Sequence, residues 1–167
     1  MSLTLGVLAS GRGSNFLAVQ QEIEAGRLDA AFAVLISDQP EAPALSLAEQ
    51  HGIPTRHFPY DRSDRSVFEE PAAELLEQNQ CDLILLAGFM RILTPDFIQR
   101  FPGKILNIHP SLLPSFKGLH PQRQALEAGV KYSGCTVHVV TADLDAGPII
   151  AQAVVPVMDG DTEETLS

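Results

Sequence analysis

Leu3-Thr4-Leu5-Gly6-Val7-Leu8-Ala9-Ser10-Gly11-Arg12-Gly13-Ser14-Asn15-Phe16 runs from an aliphatic stretch through a glycine-bearing turn into the start of an apolar-periodic segment. An aliphatic run bounded by turn residues is what a strand covered on both faces requires. The glycines permit a tight turn, and Ser14 or Asn15 serves as the N-cap of a helix over Asn15–Ala25 that stops at Gly26. The stretch therefore reads strand, turn, helix.

The same reading extends along the chain. Strands are expected at Leu3–Ala9, Ala31–Ser37, Thr55–Phe58, Leu83–Ala87, Ile105–His109, Cys135–Val140 and Ile149–Val157. Helices are expected at Ala44–His51 before Gly52, at Ser66–Asn79, after Thr94-Pro95, and at Pro121–Ala128 before Gly129. Thr94-Pro95 pairs an N-cap with proline at the first helical position. Strand and helix alternate to about residue 130, which predicts an α/β, doubly wound, mostly parallel seven-stranded sheet with helices on both faces. Only the short loop Thr141–Pro148 joins the last two runs, so they pair antiparallel and the sheet is mixed at that edge.

The 167 residues fit a single domain, 1–167. At 45% apolar and 19% charged, the composition excludes a disordered, collagenous or coiled-coil chain. The longest apolar stretch, Leu83–Met90, falls short of the ~20 residues of a membrane helix. No basic residue precedes Leu3–Ala9, so no secretory signal is read there, and the expected location is cytoplasmic. A formal net charge of −10 argues against nucleic acid as a partner but leaves small anions open, because backbone N–H groups can hold a phosphate whatever the global charge. Cys81 and Cys135 lack metal-ligand spacing and read as two buried thiols, and no metal site is expected. Asp161-Thr162-Glu163-Glu164 has the pattern of a helix start, and the sequence ends barely one turn later, so a C-terminal helix is expected to be missing from it.

Several segments can carry chemistry. Ser10-Gly11-Arg12-Gly13-Ser14-Asn15 opens a helix after a strand and makes a seat for a terminal phosphate. Phe16 stands where the dinucleotide fingerprint needs its third glycine; Asp38, as a ribose-binding acid, keeps a nicotinamide dinucleotide as an alternative. In Lys104–His109, Asn107 and His109 lie two apart on a strand and face one way at its carboxyl end, where open α/β sheets bind ligands. An amide beside an imidazole suits oxyanion stabilisation and proton transfer. A carboxylate from T-A-D-L-D-A-G-P (141–148) is a candidate partner for His109, although spacing alone does not bring Asp145 to it. Gly88–Leu93 reads either as the seat of a flat heteroaromatic ligand or as a hydrophobic loop with Arg91 snorkelling. His138, between Val137 and Val139, reads as a packed, hydrogen-bonded histidine. No motif activates a serine or cysteine, so no covalent intermediate is inferred.

Taken together, G-R-G-S-N (11–15), L-A-G-F-M-R-I-L (86–93), I-L-N-I-H-P-S-L-L-P (105–114) and T-A-D-L-D-A-G-P (141–148) resemble the glycinamide ribonucleotide formyltransferase family along essentially the whole chain. The resemblance implies a Rossmann-like formyltransferase fold. It also implies formyl transfer from 10-formyltetrahydrofolate, as co-substrate without a metal, to the amine of 5'-phosphoribosylglycinamide in purine biosynthesis. By the same resemblance, Asn107, His109 and Asp145 are catalytic, and Gly13, Ser14 and Asn15 hold the ribonucleotide phosphate. Arg65, Met90, Arg91, Ile92, Leu93, Asn107, Thr141, Ala142, Asp143, Leu144 and Asp145 then bind the folate. The implied partners are these small molecules, with neither nucleic acid nor membrane, and a homodimer is left open. Two alternatives stand beside this reading. A formyltetrahydrofolate deformylase shares the Asn-x-His strand but typically carries a second His where Pro110 stands here, and a nucleotide-binding module would lack catalysis.

Overall fold

The computed structural model describes residues 2–166; Met1 and Ser167, the ends of the expected domain, lie outside them. Two compact units are present, meeting in the chain at Ile105/Leu106.

The first unit holds β1 (Leu3–Ala9), α1 (Ser14–Glu24), β2 (Ala30–Ser37), α2 (Pro43–Gln50), β3 (Thr55–His57), α3 (Ser66–Gln78), β4 (Leu83–Leu86) and α4 (Pro95–Arg100). Its strands are all parallel: β2 and β4 flank β1, and β3 adds to β2. The aliphatic runs explain this arrangement. Val7, Leu8, Ala9, Leu35 and Ile36 are completely buried, as central parallel strands demand. Around Val7, Ala9 and Leu35 pack Phe16 from α1, Phe32 from β2 and Ala44 and Ala48 from α2, with the Phe16 and Phe32 rings 5.0 Å apart. Gly6 is required on β1, because a Cβ there would meet Leu76 Cδ2 at 2.3 Å and Cys81 Sγ at 3.1 Å.

Helix ends follow local chemistry. The cap of α1 is Gly13, at φ 78°, rather than Ser14 or Asn15. The chain turns into the helix through a left-handed conformation that a glycine adopts without strain. Thr94 caps α4 as expected, its hydroxyl accepting from Phe97 N at 3.2 Å. The buried Glu69 carboxylate in turn accepts from Thr94 N at 2.9 Å and from the Thr94 hydroxyl.

The second unit, from Leu106, contains most of β5 (Ile105–His109), α5 (Pro121–Glu127), β6 (Tyr132–Val139) and β7 (Ile149–Pro156). Here the pairing is antiparallel throughout, β5 with β6 and β6 with β7, which gives the antiparallel edge expected from the short 141–148 loop. Close approach sets two glycines: a Cβ on Gly134 would lie 1.9 Å from Ala153 O, and one on Gly147 would lie 1.8 Å from Val139 O. Residues 163–166 form a turn, with Leu166 N donating to Thr162 O at 3.1 Å.

Both cysteines are free. Cys81 is buried as expected, whereas Cys135 is only half-buried, since β7 beside it is exposed along its length. Burial, with the Asp82 charge adding to it, pushes the Cys81 thiol up to about 11. Among the described residues no helix is long and apolar enough to cross a membrane.

Candidate active site

The period of two along a strand does most of the assembly in the second unit. Asn107 and His109 share one face of β5, and the antiparallel register sets His138 opposite Asn107 and Thr136 opposite His109. Asn107 Nδ2 lies 3.2 Å from His138 Nε2. His138 Nδ1 lies 3.1 Å from the Val139 carbonyl, which can only accept. The neutral ring therefore carries its proton on Nδ1, and Nε2 accepts from the Asn107 amide. That bond fixes the amide's orientation and leaves its second N–H for another acceptor.

His109 is buried, with Nε2 donating to Phe116 O at 2.8 Å. Its Nδ1 stands 3.4 Å from Asp145 Oδ2, and both side chains are under a tenth exposed. An imidazolium at this position has an acceptor facing each N–H. Asp145 is the contact that spacing could not supply, and the loop after β6 brings it there. It adopts φ 48°, an unfavourable conformation for a non-glycine residue. Gly118 N, donating to Oδ2 at 2.9 Å, helps hold it there. Asp145 Oδ1 also lies 3.8 Å from His138 Nε2. His138 is thus packed and hydrogen-bonded, as its flanking valines suggest, and its bond goes to a candidate catalytic residue.

Thr136 secures the exit from β5. Its buried hydroxyl donates to Ser111 O at 2.7 Å and accepts from Leu113 N at 3.0 Å and Gln152 Nε2 at 2.9 Å. Of the remaining residues in the 141–148 loop, Thr141 hydroxyl donates to Asp143 O at 3.3 Å, Ala142 and Asp143 are exposed, and Leu144 is 55% exposed.

The first unit carries the other candidate residues. Gly13 is buried against α2, while Ser14 and Asn15 are exposed on the first turn of α1. Such a turn presents unpaired N–H groups and positive potential. Arg65 Nη1 donates to Ile92 O at 3.3 Å. Met90 and Ile92 point into solvent and Leu93 is buried, so Leu93 offers a ligand its backbone rather than its side chain. Arg91 is not a snorkelling cation: its Nε donates to Asp38 Oδ2 at 2.7 Å. Asp38, the candidate ribose acid, is consequently buried and engaged. Burial raises its carboxyl, but hydrogen bonds from Ser10, Gln39 and Arg91 and the Arg91 charge outweigh this and hold it below the usual range.

An amide, an imidazole and a carboxylate gathered at the carboxyl end of a strand define an α/β protein equipped for acyl transfer without a protein nucleophile. Comparison with known proteins sharpens that class. The formyl transferase family model matches residues 4–167. A phosphoribosylglycinamide formyltransferase of Bacillus subtilis is 43% identical over 161 residues, covering 96% of this chain and 83% of that protein. The bovine trifunctional purine biosynthetic protein adenosine-3 is 48% identical over 166 residues, 98% of this chain, which spans only 16% of that longer protein. The crystal structure of glycinamide ribonucleotide transformylase 1 from Symbiobacterium toebii superposes with a TM-score of 0.94 at 48% identity, covering 99% of this chain and 78% of that one. The chain belongs to the formyl transferase family, and its fold is that family's mixed, mostly parallel Rossmann-like sheet.

Proposed function

We propose that the chain transfers the formyl group of 10-formyltetrahydrofolate to the amine of 5'-phosphoribosylglycinamide, a step of purine biosynthesis, with no metal. The observation that carries the reading is the approach of His109 Nδ1 to Asp145 Oδ2, on the same strand face as an amide held in one orientation by His138.

The substrate amine is itself a nucleophile, so the protein has to align it and stabilise the charge that develops. Its nitrogen attacks the formyl carbon, and the carbonyl oxygen becomes an oxyanion. The free N–H of Asn107 and an N–H of protonated His109 donate to that oxygen, and Asp145 stabilises the imidazolium. The bond from carbon to the folate nitrogen then breaks, and the proton lost by the amine ends on that nitrogen through His109 or a water. His109 Nε2 donates to the Phe116 carbonyl when no substrate is bound. Donating that proton to an oxyanion requires the Phe116 segment to release it.

In this reading Gly13, Ser14 and Asn15 take the ribonucleotide phosphate. Arg65, Met90–Leu93 and Thr141–Asp145 take the folate, with exposed Met90, Ile92 and Leu144 offering apolar surface for a flat ring. The test is formyl release from 10-formyltetrahydrofolate with and without the ribonucleotide. Ribonucleotide-dependent release is expected. Release to water at the same rate without it would establish the hydrolytic alternative, and no release together with nucleotide binding would favour a non-catalytic module.

A further inference from the structure

The segment after β4 is held to an unusual degree for a loop. Phe89 stacks on Phe68 at 5.3 Å, Met90 N donates to Ser10 Oγ at 2.8 Å, and Thr94 is bound to buried Glu69. At its centre, Arg91 is fixed twice. Its Nε bonds Asp38 Oδ2, and its guanidinium lies over the Tyr60 ring, 4.6 Å from the centroid. Asp38 is fully buried in its side chain. Gln39 Nε2 donates to the same Oδ2 at 2.9 Å, and Oδ1 has no hydrogen-bond partner among the described residues.

A buried carboxylate with one oxygen unsatisfied is a poor device for stability, since an apolar pair of similar size would cost less desolvation. The geometry does something else: it turns Phe89, Arg91 and Leu93 inward, and that alternation drives Met90 and Ile92 outward to 73% and 60% exposure. Two large apolar side chains held in water on a fixed backbone make a platform for an apolar ligand surface. We infer that Asp38 is a positioning residue for folate binding, acting through Arg91 to hold Met90 and Ile92 in their ligand-facing arrangement. The inference rests on the folate reading of this segment, and its consequence is that the Arg91 charge is spent inside the protein rather than on the ligand.

The experiment compares the wild-type chain with Asp38→Leu, Asp38→Asn and Tyr60→Leu. It measures equilibrium binding of tetrahydrofolate, the KM for the ribonucleotide, and kcat at saturating formyl folate. In Asp38→Leu, tetrahydrofolate binding weakens about tenfold, the scale of a lost preorganising contact, while ribonucleotide KM and kcat stay within about twofold. Asp38→Asn keeps an acceptor oxygen for Arg91 and restores affinity to within about threefold of wild type. Should Asp38→Leu not fold, Tyr60→Leu, which removes the ring beneath the Arg91 guanidinium, carries the test and shows a smaller loss confined to folate. Wild-type folate affinity in the leucine variants, or equal losses for folate and ribonucleotide, overturns the inference and leaves the folate reading standing. A wild-type chain that binds no tetrahydrofolate overturns both.

Discussion

Asn107 Nδ2 donates to His138 Nε2 across the β5–β6 pair at 3.2 Å, and His138 Nδ1 is tied to the Val139 carbonyl. The imidazole therefore works as a fixed acceptor that aims the amide. Replacing Asn107 by Ala should lower kcat by about 10²–10³, the cost of one oxyanion donor. His138→Leu keeps the donor but frees its orientation, so the expected loss is smaller, about 10–10² in kcat, with both KM values nearly unchanged. Steady-state kinetics of the two variants and their double decide it. Losses that multiply independently would mean His138 does not act through Asn107.

Asp145 reaches His109 from a backbone conformation at φ 48° that costs about 1–3 kcal/mol to hold. In the proposed reaction this carboxylate serves the charge that develops on the imidazole, and other residues of the loop take the ligand contacts. Asp145→Ala should therefore lower turnover by two orders of magnitude or more, while tetrahydrofolate affinity changes by less than about fivefold. The same variant should lose thermal stability, because Ala leaves the Gly118 N–H and the His109 ring without their carboxylate partner and is less at home in the left-handed conformation. Turnover within tenfold of wild type would remove Asp145 from the reacting centre.

All seven strands lie within three residues of their expected ends, because aliphatic runs and turn residues are local signals. Asn107 and His109 were legible for the same reason, since a period of two fixes their common face. The Asp145 contact with His109 spans a gap of 36 positions, and the bond from His138 to Asn107 exists only through the β5–β6 register. Neither is a local property. The sequence leaves Arg91 open between a ligand seat and a snorkelling cation, because its partner, Asp38, lies 53 positions away. Gly13 as a cap is silent in the sequence, because a left-handed glycine has no polar side chain to signal it.

Cys81 offers a check on the first unit's packing that is independent of catalysis. Its thiol sits at about 11 through burial, so at pH 8 only about one part in a thousand is thiolate, against roughly a quarter for a free cysteine. Alkylation of Cys81 by iodoacetamide at pH 8 should run at least ~10²-fold slower than for a free cysteine, and slower than at the half-buried Cys135. Mass-spectrometric rates over pH 7 to 10 read both sites at once. Equal rates would show that the Leu76–Gly6–Cys81 contact opens freely.

In the proposed function, Gly13 joins the fold to the seat of the ribonucleotide phosphate. A Cβ there would stand 2.9 Å from Ala44 Cβ and 3.1 Å from Ala44 Cα, and the residue is at φ 78°. Gly13→Ala thus meets two costs, about 1–2 kcal/mol for the left-handed backbone and a clash that pushes α2 away from the first turn of α1. The turn that aims the N–H groups of Ser14 and Asn15 shifts with it. The expected result is a fall in Tm of several degrees and a rise of about tenfold or more in ribonucleotide KM, with tetrahydrofolate affinity changed little. Ser14→Ala separates the two effects, because it leaves the backbone path intact. It should keep wild-type stability and raise KM only by the few-fold that one hydroxyl contact to a phosphate supplies. If Gly13→Ala lowers Tm but leaves ribonucleotide KM unchanged, the glycine turn has a structural task alone and the phosphate is held elsewhere.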